Sequence, residues 1–420
     1  MLSQNWKRIP FAGLLVLILA CSVNAAGNWP GWRGPLRNGH SSEKGFPTKW
    51  SSENLVWETK LKGEGQSSPV IWGDRIFLTA SENRGAKRWV MCINRNNGEL
   101  LWEKLAWTGT PEPTHRMNGW ASSTCVTDGK HVYAFFGRGG GLFCYTMEGE
   151  LVWKRDLGPF VGPWGTAASP ILVGNLIIQN CDADKDAYIA AFDKNTGKPV
   201  WKTSRENKRG WSSPILIKTE KRDELVINGH SGARAYDPHT GKELWFCKGF
   251  NGRGSPTITQ SETGLLHVVN GLRGDIYAVR PGGNGTVTNT HMAWHTPRGG
   301  ARDLPSPIAV GKYLLVMNMQ GILTCYDTAT GKELSKFRIG GKFSAAPVAW
   351  QGLAFFINED GETVAIQPGE KPKVIARSKL EPQDGEIFRS SITPSNGRLY
   401  IRSTKMLYCI GKPVETRKSK

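Results

Sequence analysis

The chain has 420 residues and a formal net charge of +18, with 54 Lys and Arg against 36 Asp and Glu. That length would ordinarily give two or three domains. The charge suits anionic partners as well as plain solubility, but without a basic helix, zinc finger or RNA-binding signature it does not point to nucleic acid.

Residues 1–26 read as an export signal. Lys7 and Arg8 form a basic start, Phe11 to Ala20 an apolar run, and Val23-Asn24-Ala25 a small-residue cleavage site. A rival reading takes Ile18-Leu19-Ala20-Cys21 as a lipobox, with Cys21 carrying a lipid anchor. The apolar run is too short to span a bilayer, and no later segment approaches a transmembrane stretch. Residues 27–50 form a leading segment, and 412–420 a basic tail.

Between them one pattern recurs. A small-residue strand start leads into an apolar hairpin, then a strand with a small residue before an aromatic or aliphatic one, then a glycine turn and often a tryptophan. The fullest copies start at Ser67 and Ala168, and others at Ser123, Ser213, Ser255, Ser306, Ala346 and Ser391. Spacings of about 40 to 56 residues suit propeller blades. With 50 glycines and 17 tryptophans, the pattern predicts an all-β, eight-bladed β-propeller of four-stranded antiparallel blades.

Strand A of each blade should line the channel, B and C follow, and D carries Trp102, Trp153, Trp201, Trp245 or Trp294. Asn97-Gly98, Glu148-Gly149, Thr196-Gly197, Thr240-Gly241 and Thr330-Gly331 are hairpin signals between C and D. Blade six has Leu334 to Phe337 in place of the tryptophan strand, and blade seven only a weak strand near Val374. The eighth unit stops after its third strand, so Asn54 to Lys60, carrying Trp57, should close the ring and remove an exposed edge.

Ala191-Phe192-Asp193, Thr196-Gly197-Lys198 and Trp201 resemble the motif of pyrrolo-quinoline-quinone-like (PQQ-like) propeller repeat proteins. Tyr236-Asp237 with Thr240-Gly241-Lys242 and Trp245, and Tyr326-Asp327 with Thr330-Gly331-Lys332, match as well. The resemblance covers roughly residues 51–411, and Trp29 to Pro35 is similar to the leading segment of many exported members. It implies that Trp57, Trp102, Trp153, Trp201, Trp245 and Trp294 dock neighbouring blades. The family includes quinone-dependent alcohol dehydrogenases, which hold the quinone over a disulfide between adjacent cysteines, with calcium and an aspartate base. This chain has no adjacent cysteine pair; the resemblance therefore supports the fold and not the quinone chemistry, and no cofactor is expected.

Cys92, Cys144, Cys325 and Cys409 share a repeat position with Ala191, Ala235, Ala278 and Ala365, which reads as a small buried slot. Equivalent positions in different blades lie too far apart for a disulfide; a pairing among Cys125, Cys181 and Cys247 stays open. Asp182, Asp184 and Asp186 alternate as in a calcium loop but lack its glycine and distal glutamate. His291 and His295 lack the glutamate of a zincin. Gly137 to Gly141 precedes a strand and not the helix a phosphate cradle needs. No catalytic set can be nominated.

The residues just before each A strand should ring one channel mouth: Gln66, Ser122, Ala167, Trp211, Arg253, Leu304, Ser344 and Arg389. Trp120, Trp164, Arg302 and Asp303 lie beside them. Aromatics beside arginines suit sugar rings, planar ligands or carboxylates; the competing reading is a plug for the pore. The expectation is a non-catalytic extracytoplasmic binding or scaffolding propeller, periplasmic or secreted, whose partner is an envelope protein or an anionic polysaccharide. The alternative is a quinone-dependent oxidoreductase using the channel mouth.

Overall fold

Each repeat folds as an up-and-down meander in which a two-residue alternation buries one face and a glycine turn reverses the chain. In the computed structural model, residues 27–250, 253–271, 274–298 and 302–412 are described; the segment expected to be an export signal, with Cys21, and all but the first residue of the basic tail lie outside them. The described strands form eight sheets, each a four-stranded antiparallel blade and one extended by a short parallel strand, arranged as a propeller ring. Blade three is representative: Ile171–Val173, Leu176–Cys181, Tyr188–Asp193 and Pro199–Ser204 pair in that order. The weak strand expected in blade seven is a full one, Lys373–Lys379.

Blade eight closes as expected. Leu55–Lys60 pairs antiparallel with Met406–Ile410, placing Trp57 opposite Cys409 and Lys60 opposite Met406. The first and last parts of the chain thus share one sheet, and no blade is left with three strands.

The apolar core lies between adjacent blades. In one cluster Ile276, Ala278 and Trp294 of blade five meet Leu314, Val316 and Tyr326 of blade six. The small slot on strand C explains how the blades nest. Cys92, Cys144, Ala191, Ala235 and Ala278 stand directly opposite Trp102, Trp153, Trp201, Trp245 and Trp294 across the ladder. The indoles of Trp57, Trp102, Trp153, Trp201 and Trp294 then lie over the hairpin glycine of the next blade. A Cβ on Gly98, Gly149, Gly197, Gly241 or Gly331 would come within 2.3 to 2.7 Å of the ring of Trp57, Trp102, Trp153, Trp201 or Trp294. The Asp of the repeat motif holds that hairpin, since Asp193 Oδ1 accepts from Thr196 N and Thr196 Oγ1, both at 2.8 Å.

Trp245 departs from this pattern. Blade five has no T-G-K hairpin, and its longer C-to-D connection lays Gly285–Thr286 parallel to strand Glu243–Lys248 of blade four. Trp245 is fully buried there, and its Nε1 donates to Glu224 Oε2 of its own blade at 2.7 Å.

The leading segment crosses the far end of the channel. Trp29 exchanges two main-chain hydrogen bonds of 2.9 Å with Ile71 in blade one. Four residues on, Arg33 Nη2 donates to Thr259 Oγ1 in blade five at 3.0 Å and to the Pro307 carbonyl in blade six at 2.8 Å. Blades one and five face each other in a ring of eight, so the segment bridges the axis.

Candidate functional site at the channel mouth

A ladder of hydroxyls fixes the inner wall. Ser68 N donates to Thr124 Oγ1, Thr124 N to Ser169 Oγ, Ser169 N to Ser213 Oγ, Ser213 N to Thr257 Oγ1 and Thr257 N to Ser306 Oγ, all at 2.8 to 3.0 Å. Ser391 N returns to Ser68 Oγ at 3.0 Å. Ala346 has no hydroxyl, so the ladder skips blade seven.

This ladder sets the register of the mouth. Stepping back two residues from each of the seven members, and from Ala346 in blade seven, gives Gln66, Ser122, Ala167, Trp211, Ser255, Leu304, Ser344 and Arg389. Ser255, not Arg253, is therefore the blade-five equivalent. The main chain agrees, because Trp211 N and Ser212 N donate to the Gly254 carbonyl as Gln66 N and Ser67 N donate to that of Ala121. The expected equivalence of Arg253 is corrected by two residues.

Arg253 nonetheless lines the same pocket, as do Trp164, Trp211, Arg302 and Arg389. Its Cζ lies 4.0 Å from the centroid of Trp164, and Arg209 lies 4.4 Å from the same ring. The indoles of Trp164 and Trp211 stack with centroids 6.0 Å apart and 26° between planes. Asn118 Nδ2 holds the Trp164 carbonyl at 2.8 Å, and Trp211 Nε1 donates to Gly165 O at 3.0 Å.

The charges at this mouth are unbalanced. No Asp or Glu lines the pocket among the described residues. Arg389 is held by Glu359 through two hydrogen bonds of 3.0 and 3.3 Å, and Arg209 is paired with Asp184 at 2.7 Å. Among the described residues, Arg253 and Arg302 make no ion pair. Burial, then the charges of Arg209 and Arg302, hold the Arg253 guanidinium below its ordinary pKa; an anion would relieve that repulsion.

Two expected residues are placed elsewhere. Trp120 packs on Gly85 and donates from Nε1 to Glu112 O at 2.8 Å, and it does not line the pocket. Asp303 is fully buried against Arg298 at 2.6 Å, because a carboxylate in the wall needs a partner there. Trp32, His115, Met117 and Asn118 line the pocket without having been expected. The last three sit in the 109–125 connection, whose length was the available signal.

The remaining candidates resolve into structural pairs. Asp182 is bound to Arg205 at 2.6 Å. His295 stacks on Phe250 at 3.6 Å and bonds Asp275 at 2.7 Å, while His291 bonds Thr290. All seven described cysteines are free and buried, so Cys125, Cys181 and Cys247 do not pair. Burial pushes the Cys92, Cys125, Cys144, Cys247 and Cys325 thiols up to about 12, which makes them poor nucleophiles.

The residues do not fit a quinone held with calcium. Asp184, Glu359 and Asp303 adjoin residues of the mouth by bond or in sequence, and each is taken by an arginine. No group of three or more metal-binding side chains converges among the described residues.

Comparison with known proteins places this geometry. A family described as outer membrane protein assembly factor BamB matches residues 47–157, 86–287 and 272–371. Among individual relatives, BamB of Moranella endobia (strain PCIT) is 24% identical over 43% of this chain and 53% of its own length. Tetrathionate hydrolase of Acidithiobacillus ferrooxidans is 24% identical over 74% of this chain and 66% of its own. A quinoprotein ethanol dehydrogenase of Pseudomonas putida is 27% identical over 47% of this chain and 36% of its own. The chain thus spans between about a third and two thirds of these relatives' lengths.

Solved structures share the fold. BamB of Moraxella catarrhalis superposes with a TM-score of 0.63 at 16% identity, covering 87% of this chain and 99% of its own. Quinohemoprotein alcohol dehydrogenase ADHIIG of Pseudomonas putida HK5 gives 0.67 at 10% identity, covering 94% and 82%. With its repeats matched over most of their length and its eight blades closed through the N-terminal strand, the chain belongs to the BamB-type family of PQQ-like propellers.

Proposed function

We propose that this protein is a non-catalytic, extracytoplasmic binding propeller that holds an envelope-protein partner at its channel mouth through an acidic group. One observation carries the reading: the mouth is lined by Arg253, Arg302 and Arg389, with stacked indoles beside them and no lining carboxylate among the described residues. Guanidinium forks and flat apolar rings are the groups that recognise carboxylates with an apolar flank. The relatives named as outer membrane protein assembly factors, and the export signal read over residues 1–26, support a partner in the envelope.

The test is capture of partners from an envelope fraction by the tagged, full-length chain. Arg253→Gln with Arg302→Gln should lose the captured protein while the melting temperature stays within about 1 °C, because surface changes away from paired charges cost little. Arg389 is left intact, since its removal would strand Glu359. Unchanged capture by the double variant would retire the mouth as the partner site.

A further inference from the structure

Beneath the arginine rim lies a second tier of narrower chemistry. Ser68, Thr124, Ser169, Ser213 and Ser306 line the pocket, and each hydroxyl oxygen accepts a main-chain N–H from the neighbouring blade. Among the described residues, none of the five donates its own hydrogen to a protein acceptor. A hydroxyl has one hydrogen to give and two lone pairs to receive. With one lone pair taken by that N–H, each hydroxyl keeps its hydrogen to donate and one further lone pair.

Of the acceptors nearby, Asn118 Oδ1 takes the Gly119 N–H at 2.9 Å, and the single hydrogen of Ser122 Oγ serves either Asn118 Oδ1 at 2.5 Å or Gln66 Oε1 at 3.1 Å. A sugar ring would use both the hydrogens and the spare lone pairs of these hydroxyls, but would leave the guanidiniums of Arg253 and Arg302 without an anion. A carboxylate, which only accepts, matches the hydroxyl hydrogens and the guanidiniums alike.

The pocket is also blind. Trp32 enters it from the leading segment that crosses the far end of the channel. Arg33 lies under that floor, its Cζ 5.8 Å from the Trp32 ring; it is 1% exposed, and among the described residues it pairs with no carboxylate. The cavity holds about 330 Å³, at the small end for ligand pockets. A polypeptide cannot thread it, but an end can enter.

We propose that the pocket grips the C-terminal carboxylate of the partner polypeptide. The carboxylate is taken by the hydroxyl tier and the free guanidiniums of Arg253 and Arg302, and the last side chain is apolar, against Trp164, Trp211 and Met319. This rests on the mouth being the partner face, and adds which part of the partner is held.

The experiment titrates the full-length protein into a fluorescein-labelled hexapeptide of five alanines and a terminal leucine, as free acid and as amide, read by anisotropy. The acid should bind saturably and at least tenfold more tightly than the amide. Arg253→Gln with Arg302→Gln should abolish that difference without moving the melting temperature. Equal binding of acid and amide, no saturable binding of the acid, or displacement of both forms alike by inorganic phosphate would each overturn the proposal. Envelope capture separates the two levels: if it still depends on the arginines, only the grip on a chain end falls, and if it does not, the mouth reading falls with it.

Discussion

In six blades a single small side chain on the third strand decides how closely an indole can lie across it, and in five of these a single glycine decides whether the next blade can accept that indole. Cys and Ala alternate in the first role because only volume matters there. Glycine is required in the second: Gly197 has φ +66° and its Cβ would sit 2.6 Å from Trp153. These residues were legible in the sequence because they recur. Arg253 was misplaced because its surroundings, Gly252, Gly254 and Ser255, offer no apolar alternation to fix a register, and only the hydroxyl ladder reveals the two-residue offset. Asp303 and Trp120 are near the mouth in sequence, but which way a loop side chain turns is decided by tertiary partners.

One buried residue makes a pH prediction. His267 is fully buried beside Trp294, with neither ring nitrogen hydrogen-bonded among the described residues, and burial lowers its pKa to about 4. In the unfolded chain it titrates near 6.5. Stability is therefore full above about pH 6.5 and falls as the unfolded state takes up the proton the folded state refuses, levelling near pH 4. The loss is on the order of 3 kcal/mol. Melting temperatures measured from pH 7 to 4 should fall for the parent and fall less for His267→Gln; parallel curves would contradict this assignment.

At the scale of elements, closure and plug come from one stretch of chain. Leu55–Lys60 completes blade eight, and upstream Trp29, Phe46 and Trp50 are buried in the cluster that joins blades one, seven and eight. Burial of each such side chain contributes about 2 kcal/mol. Deleting residues 27–62 should leave strand Met406–Ile410 as a bare edge and produce aggregation or non-cooperative melting, visible by light scattering and calorimetry. A monomeric truncation that melts like the parent would contradict closure through the N-terminus. The need for this strand was legible by counting strands. That the leading segment spans the far end of the channel was not, because its contacts with blades one, five and six are long-range and carry no local pattern. Blade five's extra strand was hidden for the opposite reason: the motif simply stops there, and what replaces it pairs by main-chain bonds that any sequence can make.

The whole molecule is a ring with two unlike ends, one crossed by its own leading segment and one open, cationic and indole-lined. The excess of 18 positive charges raises the encounter rate of acidic partners in general, whereas the mouth gathers guanidiniums with no lining acid among the described residues. The outer rim competes as a docking surface, since Leu100, Leu101 and Leu105 in blade one and Leu151 in blade two are about half exposed. Site-specific photo-crosslinking in the envelope decides between them, with the crosslinker placed at Leu304 in the mouth or at Leu151 on the rim. A partner adduct from position 304 that disappears with Arg253→Gln and Arg302→Gln is the predicted result; an adduct from position 151 alone would contradict the account.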